Sequence, residues 1–414
     1  MTVDQREALP VRLTYFLLYI VGFGTENSAE KRRLRDLWLA NSLFLAALAF
    51  PTISMDFYYT RGSFREMAYT GLNVLTTFVI ILKFFCLLSK RSQYENLLRI
   101  SRDSLWGNAK TKYETNVLHQ CENQAMFFVI FFAIFANSTA LLYIIEAVLY
   151  NVGHNMTDVT ERRFPFKIWL DLPIYETPNF HIFFFLQMMM AFYAGIMYCC
   201  YDNYLVLVNV FIAGQFTILK YRLQLLYTTK TVQSIITRNN GGRTSSGDLK
   251  FAVREFKNCV KQHQFLIWIV SELETLYSLI NLMSVLVYSF ILCLAGYQLI
   301  MPGNILIRRI KFVAYIGGSL SQLLSFSYSC HNLSVASVDV YEGLYHSKWY
   351  EHCHSERSRS LIGDFIIMIM RAQRPCHLTG GGFFPITLDT MKSVLTTAFS
   401  YLTLIRQSSG VTND

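Results

Sequence analysis

The stretch Ala125–Tyr150, AMFFVIFFAIFANSTALLYIIEAVLY, holds one charged side chain, Glu146, in 26 residues. Coiled as a helix it is roughly 39 Å long at 1.5 Å per residue. That is enough to cross a hydrocarbon core of about 30 Å. Asn137-Ser138-Thr139 sits in the middle of the stretch and reads as polar packing between helices. The whole chain repeats this pattern. It has 414 residues, 53% hydrophobic and 15% aromatic, with a mean hydropathy of +0.30. Only 16% of residues are charged, against about a quarter in soluble domains. A soluble protein of this length needs more charge to dress its surface, so the solvent for these apolar blocks is lipid.

Seven blocks are long enough to span: 37–59, 68–89, 125–150, 181–213, 278–300, 310–334 and 384–407. The fourth exceeds one crossing, so its tail is expected to run on as a cytoplasmic helix. The seventh is rich in Thr, Ser and Tyr and is expected to face protein or water. Lys and Arg in the connections set the orientation. The N-terminal segment and every second connection hold 26 of them; the alternate set holds 8, including Lys311 at the edge of the sixth span. The fold expected is all-α, with seven transmembrane helices, a cytoplasmic N-terminus and an extracellular C-terminus, inverted relative to a G-protein-coupled receptor. Asn155-Met156-Thr157 is a glycosylation sequon in a connection that this count places outside. Leu13–Phe23 is too short to span and reads as an interfacial helix lying on the membrane.

The net charge of +9 lies in the gaps between apolar blocks, which is a topology signal and not a nucleic-acid patch. None of the nine cysteines falls in an expected external segment, so no disulfide framework is implied. Glu351-His352-Cys353-His354 with Glu356 holds metal-capable types, but adjacent helical residues do not converge and no second cluster answers them. It reads as a solvated turn, and no metal or cofactor is expected. Gly380-Gly381-Gly382 has no following Lys-Ser/Thr, so it reads as a tight approach to the last helix. No nucleophile–base pair suggests an enzyme. Lys83, Glu146, Asp202, His331 and Arg406 lie near the ends of spans, where snorkelling accounts for them. Met188-Met189-Met190 with Phe183–Phe185 is either lipid-facing bulk or the wall of an adaptable pocket.

The C-terminal half carries an ordered series of short motifs. Cys259-Val-Lys-Gln-His263 leads to Leu273-Glu274, then to Gln322-Leu323-Leu324 and Tyr345-His-Ser-Lys-Trp349-Tyr350-Glu351. Arg371-Ala-Gln-Arg-Pro375, Leu378-Thr379-Gly380-Gly381, Phe384-Pro385-Ile-Thr-Leu388-Asp389-Thr390 and Phe399–Arg406 follow. This series resembles the insect odorant receptors over roughly 250–407. The resemblance implies a subunit of an odorant-gated, non-selective cation channel, a tetramer in which an odorant-tuned subunit joins a shared co-receptor. It implies a volatile organic ligand and a site in the plasma membrane of a sensory neuron's dendrite or cilium. The short fourth–fifth connection and the terminal sequence favour the tuning subunit. The rival readings are a gustatory receptor of the same architecture and a G-protein-coupled receptor. The terminal Ser400-Tyr401 to Gln407-Ser408, with Arg406, favours the odorant side over the gustatory one.

By position in the family's last helix, Leu404 matches the apolar gate and Gln407 the polar residue outside it, with Thr403 and Ser400 lining the same pore. Arg406 near the pore mouth is expected to point to a neighbouring helix or a phosphate group. The family's ligand pocket lies in the outer halves of helices two, three, four and six. Depth alone nominates Leu72, Leu75 and Thr76, then Ser138, Leu142 and Ile145, then Met188, Met189 and Phe192, then Tyr315 and Ser319. The expected organisation is a cytoplasmic segment with the interfacial helix (1–36) and helices one to four with the pocket (37–213). A cytoplasmic loop with helical extensions follows as subunit anchor (214–277). Helices five and six (278–334), a cytoplasmic connection (335–383), and the pore-lining helix with an external C-terminus (384–414) complete it.

Overall fold

The computed structural model describes residues 8–25, 28–106, 111–153, 162–167, 173–226, 246–301, 306–347 and 356–408, the side chains of 246–252, 356–361 and Ser408 excepted. Its helices are α1 (Leu9–Val21), α2 (Ala29–Tyr59), α3 (Phe64–Ser89), α4 (Arg91–Ser104), α5 (Lys112–Gly153), α6 (Asn179–Gln224), α7 (Ser246–Ile300), α8 (Leu306–Tyr345), α9 (Glu356–Ala372) and α10 (Leu388–Ser408). Five of them, α2, α3, α5, α6 and α7, are long and apolar enough to cross a membrane. The other two expected spans, in α8 and α10, are less apolar for visible reasons. α8 buries a run of serines, among them Ser319, Ser321, Ser325 and Ser329, against its neighbours. α10 leaves a Ser/Thr face exposed.

α6 is the central helix. Its stretch from Cys199 to Phe216 is buried on every face, so the tail of the fourth apolar block is covered by protein as it runs on to Gln224. Its partners approach closely where they lack a side chain. A Cβ on Gly343 of α8 would lie 2.6 Å from the Lys220 carbonyl oxygen.

The structure adds to the expectations at two points, α1 and α4, and corrects them at two others. The expected interfacial helix is α1, and its buried face is covered by protein. Val11, Thr14, Leu18 and Val21 are buried, Tyr15 donates to the Leu98 carbonyl at 2.7 Å, and Phe16 is left exposed. Just beyond it, Phe23 inserts among Phe84, Tyr94 and Tyr201. The second–third connection contains α4, whose Tyr94, Leu97, Leu98 and Ser101 are buried at helical spacing. The last apolar block does not begin as helix at 384. Phe384–Pro385 pairs antiparallel with Thr379–Gly380, and α10 starts at Leu388. Gly381 and Gly382 turn this hairpin at φ +64° and +79°, which only glycine adopts without strain. Two amides and a carboxylate fasten the hairpin to α7: Gly381 N–H donates to the Ser278 carbonyl, Asn281 to the Thr379 carbonyl, and Thr379 N–H to Glu274.

The second correction concerns three of the five intramembrane titratable groups: Lys83, Asp202 and Glu146 do not snorkel. Lys83 of α3 has a fully buried side chain, and its ammonium lies 2.6 Å from the Asp202 carboxylate of α6. Tyr288 of α7 donates to the same oxygen at 3.2 Å, and Gln322 of α8 also donates to it. Glu146 of α5 pairs with Arg308 at 3.1 Å and with Lys311, whose side chain is wholly buried. Lys311 therefore belongs to the interior of α8 and not to the connection before it. Charges in a low-dielectric interior are retained when paired, and both knots satisfy that rule.

Removing one partner leaves an uncompensated charge, typically costing about 3–5 kcal/mol, whereas replacing both by apolar groups is often neutral. Lys83→Met and Asp202→Leu are each expected to lower the thermal midpoint of the purified receptor sharply, and the double variant to recover much of the loss. Equal destabilisation by the double variant would show that the pair does not hold the bundle. A second measurement addresses the inner extension of α7, where His263 is buried against Phe216. Burial, with the Arg371 cation adding to it, holds its pKa down to about 4. The unfolded chain gains this proton below about pH 6.5, the ordinary histidine value, and the folded one does not. Stability is thus undiminished above that pH and is lost as pH falls toward 4. Between pH 7 and 5, His263→Gln is expected to lose less thermal stability than the parent; parallel losses would refute the assignment.

Candidate functional site

Between the two charge knots lies a cavity of about 370 Å³. It is walled by α2, α3, α5, α6 and α8 and by Phe166 and Lys167 before α6. Most of the wall is aliphatic or aromatic. Its polar groups are largely turned on one another. Tyr143 donates to Asn73 at 2.7 Å, and the Thr76 and Tyr315 hydroxyls bond each other. Tyr193 reaches Ser42 of α2 at 2.5 Å. Gln187 is occupied at both amide atoms by the Phe166 backbone, at 3.0 Å each. A cavity of this size with self-paired polar groups suits a small, neutral, mostly apolar ligand. A charged one would meet few free partners and lose its hydration.

Of the residues nominated by depth, Thr76, Tyr315 and Ser319 line the cavity, and Leu72, Leu75, Ser138, Leu142, Ile145, Met188, Met189 and Phe192 do not. The nominated residues lie on or near turns that reach the cavity, and most of them face away from it. Depth fixes a helix turn to within a few residues, but one residue rotates a side chain by about 100°. Hence Thr139, Tyr143, Met190 and Tyr193 face the cavity beside neighbours that were named instead. Met189 is 52% exposed and Leu72 is packed in the core. The Met run thus divides: Met190 lines the cavity and Met189 faces outward. The wall from α2 was not foreseen at all, nor was Phe166, and no motif marks them. Asn155 and the Glu351–His354 cluster lie outside the described residues. Among the described residues no group of three or more His, Cys, Asp or Glu could hold a metal ion.

The cavity floor adjoins the Lys83–Asp202 knot. Gln322 and Tyr198 line the cavity; Gln322 donates to Asp202, and the Tyr198 ring centre lies 5.3 Å from the Lys83 ammonium. Tyr288 carries the same contact to α7. About two turns further along α7, Gly296 admits Leu402 of α10 to within 3.0 Å of where a Cβ would stand. On α10, Val394 and Ala398 are buried while Ser393, Thr396, Ser400, Thr403, Leu404 and Gln407 are exposed. These positions recur every three or four residues and form one stripe. The candidate pore residues Ser400, Thr403, Leu404 and Gln407 all lie on it. Leu404, 57% exposed, is the large apolar residue of the stripe.

The profile of the family described as 7tm odorant receptor matches residues 63–399. Odorant receptor 10 of Aedes albopictus is 24% identical over 359 residues, 85% of this chain and 87% of that protein. Odorant receptor 13a of Drosophila melanogaster is 23% identical over 399 residues, 92% and 91% of the two chains. Odorant receptor Or2 of Anopheles gambiae is 28% identical over 251 residues, 60% of this chain and 62% of that one. Among solved structures, the olfactory receptor OR5 of Machilis hrabei in complex with eugenol superposes with a TM-score of 0.79, covering 96% of this chain and 97% of that one at 13% identity. At that identity the likeness speaks to the fold.

Proposed function

The chain belongs to the 7tm odorant receptor family of insects, a multi-pass membrane receptor and not an enzyme, and from that premise we propose that it is the odorant-tuned subunit of a ligand-gated, non-selective cation channel. The observation that carries this reading is the continuous path from cavity to pore stripe: cavity wall, Gln322, Asp202, Tyr288, α7, Leu402. A ligand shifts a two-state equilibrium only by binding one state better than the other. In this reading the cavity takes its tighter-binding shape in the open state. Filling it repositions α3 and α8 against Asp202, α7 follows, and α10 moves. A ring of Leu404 side chains blocks the closed pore by dewetting and leaves the axis on opening.

Other parts of the proposal rest on different grounds. The distribution of Lys and Arg supports a cytoplasmic N-terminus and an external C-terminus. The assembly proposed is a heterotetramer with the family's co-receptor, in the plasma membrane of a sensory neuron's dendrite or cilium. The inner extensions of α6 and α7 are its anchor, and Asn155 an external glycosylation site. Arg222 of α6 pairs there with Glu114 of α5 at 2.7 Å, which stiffens the anchor. The ligand class is a small, neutral, mostly apolar volatile; the Machilis receptor structure is a complex with eugenol.

Expressed with the co-receptor, Ser319→Trp is expected to raise the half-maximal concentration of every effective odorant at least about tenfold, because the side chain fills a cavity with little spare volume. An unchanged odour response would remove the cavity from the mechanism. Leu404→Ala is expected to raise resting current without odorant; an unaltered closed state would place the gate elsewhere. A C-terminal tag should be reached by antibody on intact cells, and an inaccessible tag would overturn the inverted topology.

A further inference from the structure

The cavity is clamped by hydrogen bonds at its outer end, where exposed Lys167 edges it, and is open along its side. At the outer end two amide side chains clamp the segment that carries Phe166. Gln187 bonds both backbone groups of Phe166 at 3.0 Å, and Asn151 bonds both backbone groups of Arg163 at 2.8 Å. The Phe166 ring then stacks on Tyr143, centroids 5.2 Å apart and planes 21° from parallel. Along the side, two residues line the cavity and are nonetheless open to the surroundings: Leu48 of α2, 43% exposed, and Leu186 of α6, 49% exposed. They belong to the two helices that bound a slot. In a chain that spans a membrane, α2 turns Phe44 and Phe50 outward beside them, so the medium outside the slot is hydrocarbon.

We propose that the slot between α2 and α6 is a lateral portal through which an apolar ligand dissolved in the bilayer passes into the cavity. Leu45, Leu48 and Thr52 form one lip; Phe183, Leu186 and Met190 form the other. The one hydroxyl among them, Thr52, is bonded within its own helix to the Leu48 and Ala49 carbonyls at 3.0 and 2.9 Å. The slot thus offers no unpaired hydrogen-bonding group, and an apolar solute crosses it without exchanging its solvation. Unbranched Met190 re-packs at little cost as a solute passes. Ser42 joins α2 to Tyr193 of α6 at 2.5 Å, two helical turns from Leu48, so the helices are pinned on one side of the slot and can part on the other. Partitioning into the bilayer concentrates the very solutes this cavity suits.

The portal rests on the reading of the cavity as the ligand site, and the two fail differently. The test uses full-length receptor in lipid nanodiscs carrying Ser319→Cys, with N-phenylmaleimide as the apolar probe and mass spectrometry of the introduced thiol as readout. Adding Leu186→Trp is expected to slow labelling about fivefold or more, and adding Leu186→Ala to speed it, because the lip controls access rate. Lys167→Trp, at the outer mouth, is expected to slow labelling less than Leu186→Trp does. Slowing by Lys167→Trp with no effect of either Leu186 variant would overturn the portal in favour of an aqueous route. In cells with the co-receptor, Leu186→Trp should slow current onset and washout together, by a larger factor than it moves the half-maximal concentration, since a path alters both rates and not their ratio. A shifted midpoint with unaltered rates would make Leu186 part of the ligand site and end the portal reading. The cavity reading itself stands or falls separately, on Ser319→Trp.

Discussion

The pairing of Lys83 with Asp202 constrains everything around it. A lysine ammonium with no exposed surface, inside helices that face lipid, is tolerable only if its partner stays within contact distance. That requirement fixes α3 against α6. Because Tyr288 and Gln322 converge on the same carboxylate, it fixes α7 and α8 as well. Four helices thus share one oxygen atom. Apolar packing alone would let them slide by small steps; a shared buried carboxylate admits only arrangements in which its partners are kept or exchanged as a set. Proteins that switch between two states use discrete alternatives of this kind.

The helices, their order and their approximate limits were legible in the sequence, because runs such as Ala125–Tyr150 leave no other structure for a backbone in lipid. The composition of the last helix was also legible: an exposed Ser/Thr stripe with one large Leu is what the structure displays. What was not legible was rotation and pairing. Leu72, Met188 and Met189 were chosen at the right depth on the wrong faces, since seven helices packed together bury faces that no single amphipathic pattern reveals. Buried charges were read as snorkelling for the same reason: Lys83 and Asp202 are 119 positions apart, and nothing local links them. α4 is a different case. Its buried positions 94, 97, 98 and 101 keep helical spacing in the sequence, and the charged residues around them masked it.

The position of α6 explains why its composition misleads. Its outer half lies partly open, with Ile182, Phe185, Leu186 and Met189 exposed, while its inner half is wrapped by α5, α7 and α8. Both halves are equally apolar, yet one meets lipid and the other protein. The inner half can carry Asn203, Asn209 and Gln215 because protein surrounds it. Gln215 bonds the Leu105 carbonyl at 3.0 Å and receives a bond from Gln262 at 3.2 Å, tying α4 and α7 to the centre. The inner part of the molecule is in this sense an ordinary folded core that continues the membrane bundle.

The cavity's place follows from the two polar knots. On α3, Tyr69, Thr76 and Lys83 stand seven residues apart and share one face, with roughly 10.5 Å between successive positions at 1.5 Å per residue. Tyr69 meets the outer knot through Lys311 at 2.8 Å, Thr76 meets the cavity, and Lys83 meets the inner knot. On α8 the same order holds: Lys311, then Tyr315 and Ser319, then Gln322. Each knot draws the helices together to keep its charges paired. Between the knots no such demand exists, and the wall is built of residues that pair with one another or not at all. The space there is left by the spacing of the charges above and below it. Its wall therefore touches both knots: Tyr143 reaches up to Lys311, whose ammonium lies 4.0 Å from its ring, and Gln322 reaches down to Asp202. A molecule that pushes on either end acts on a buried charge, where small displacements carry large energies.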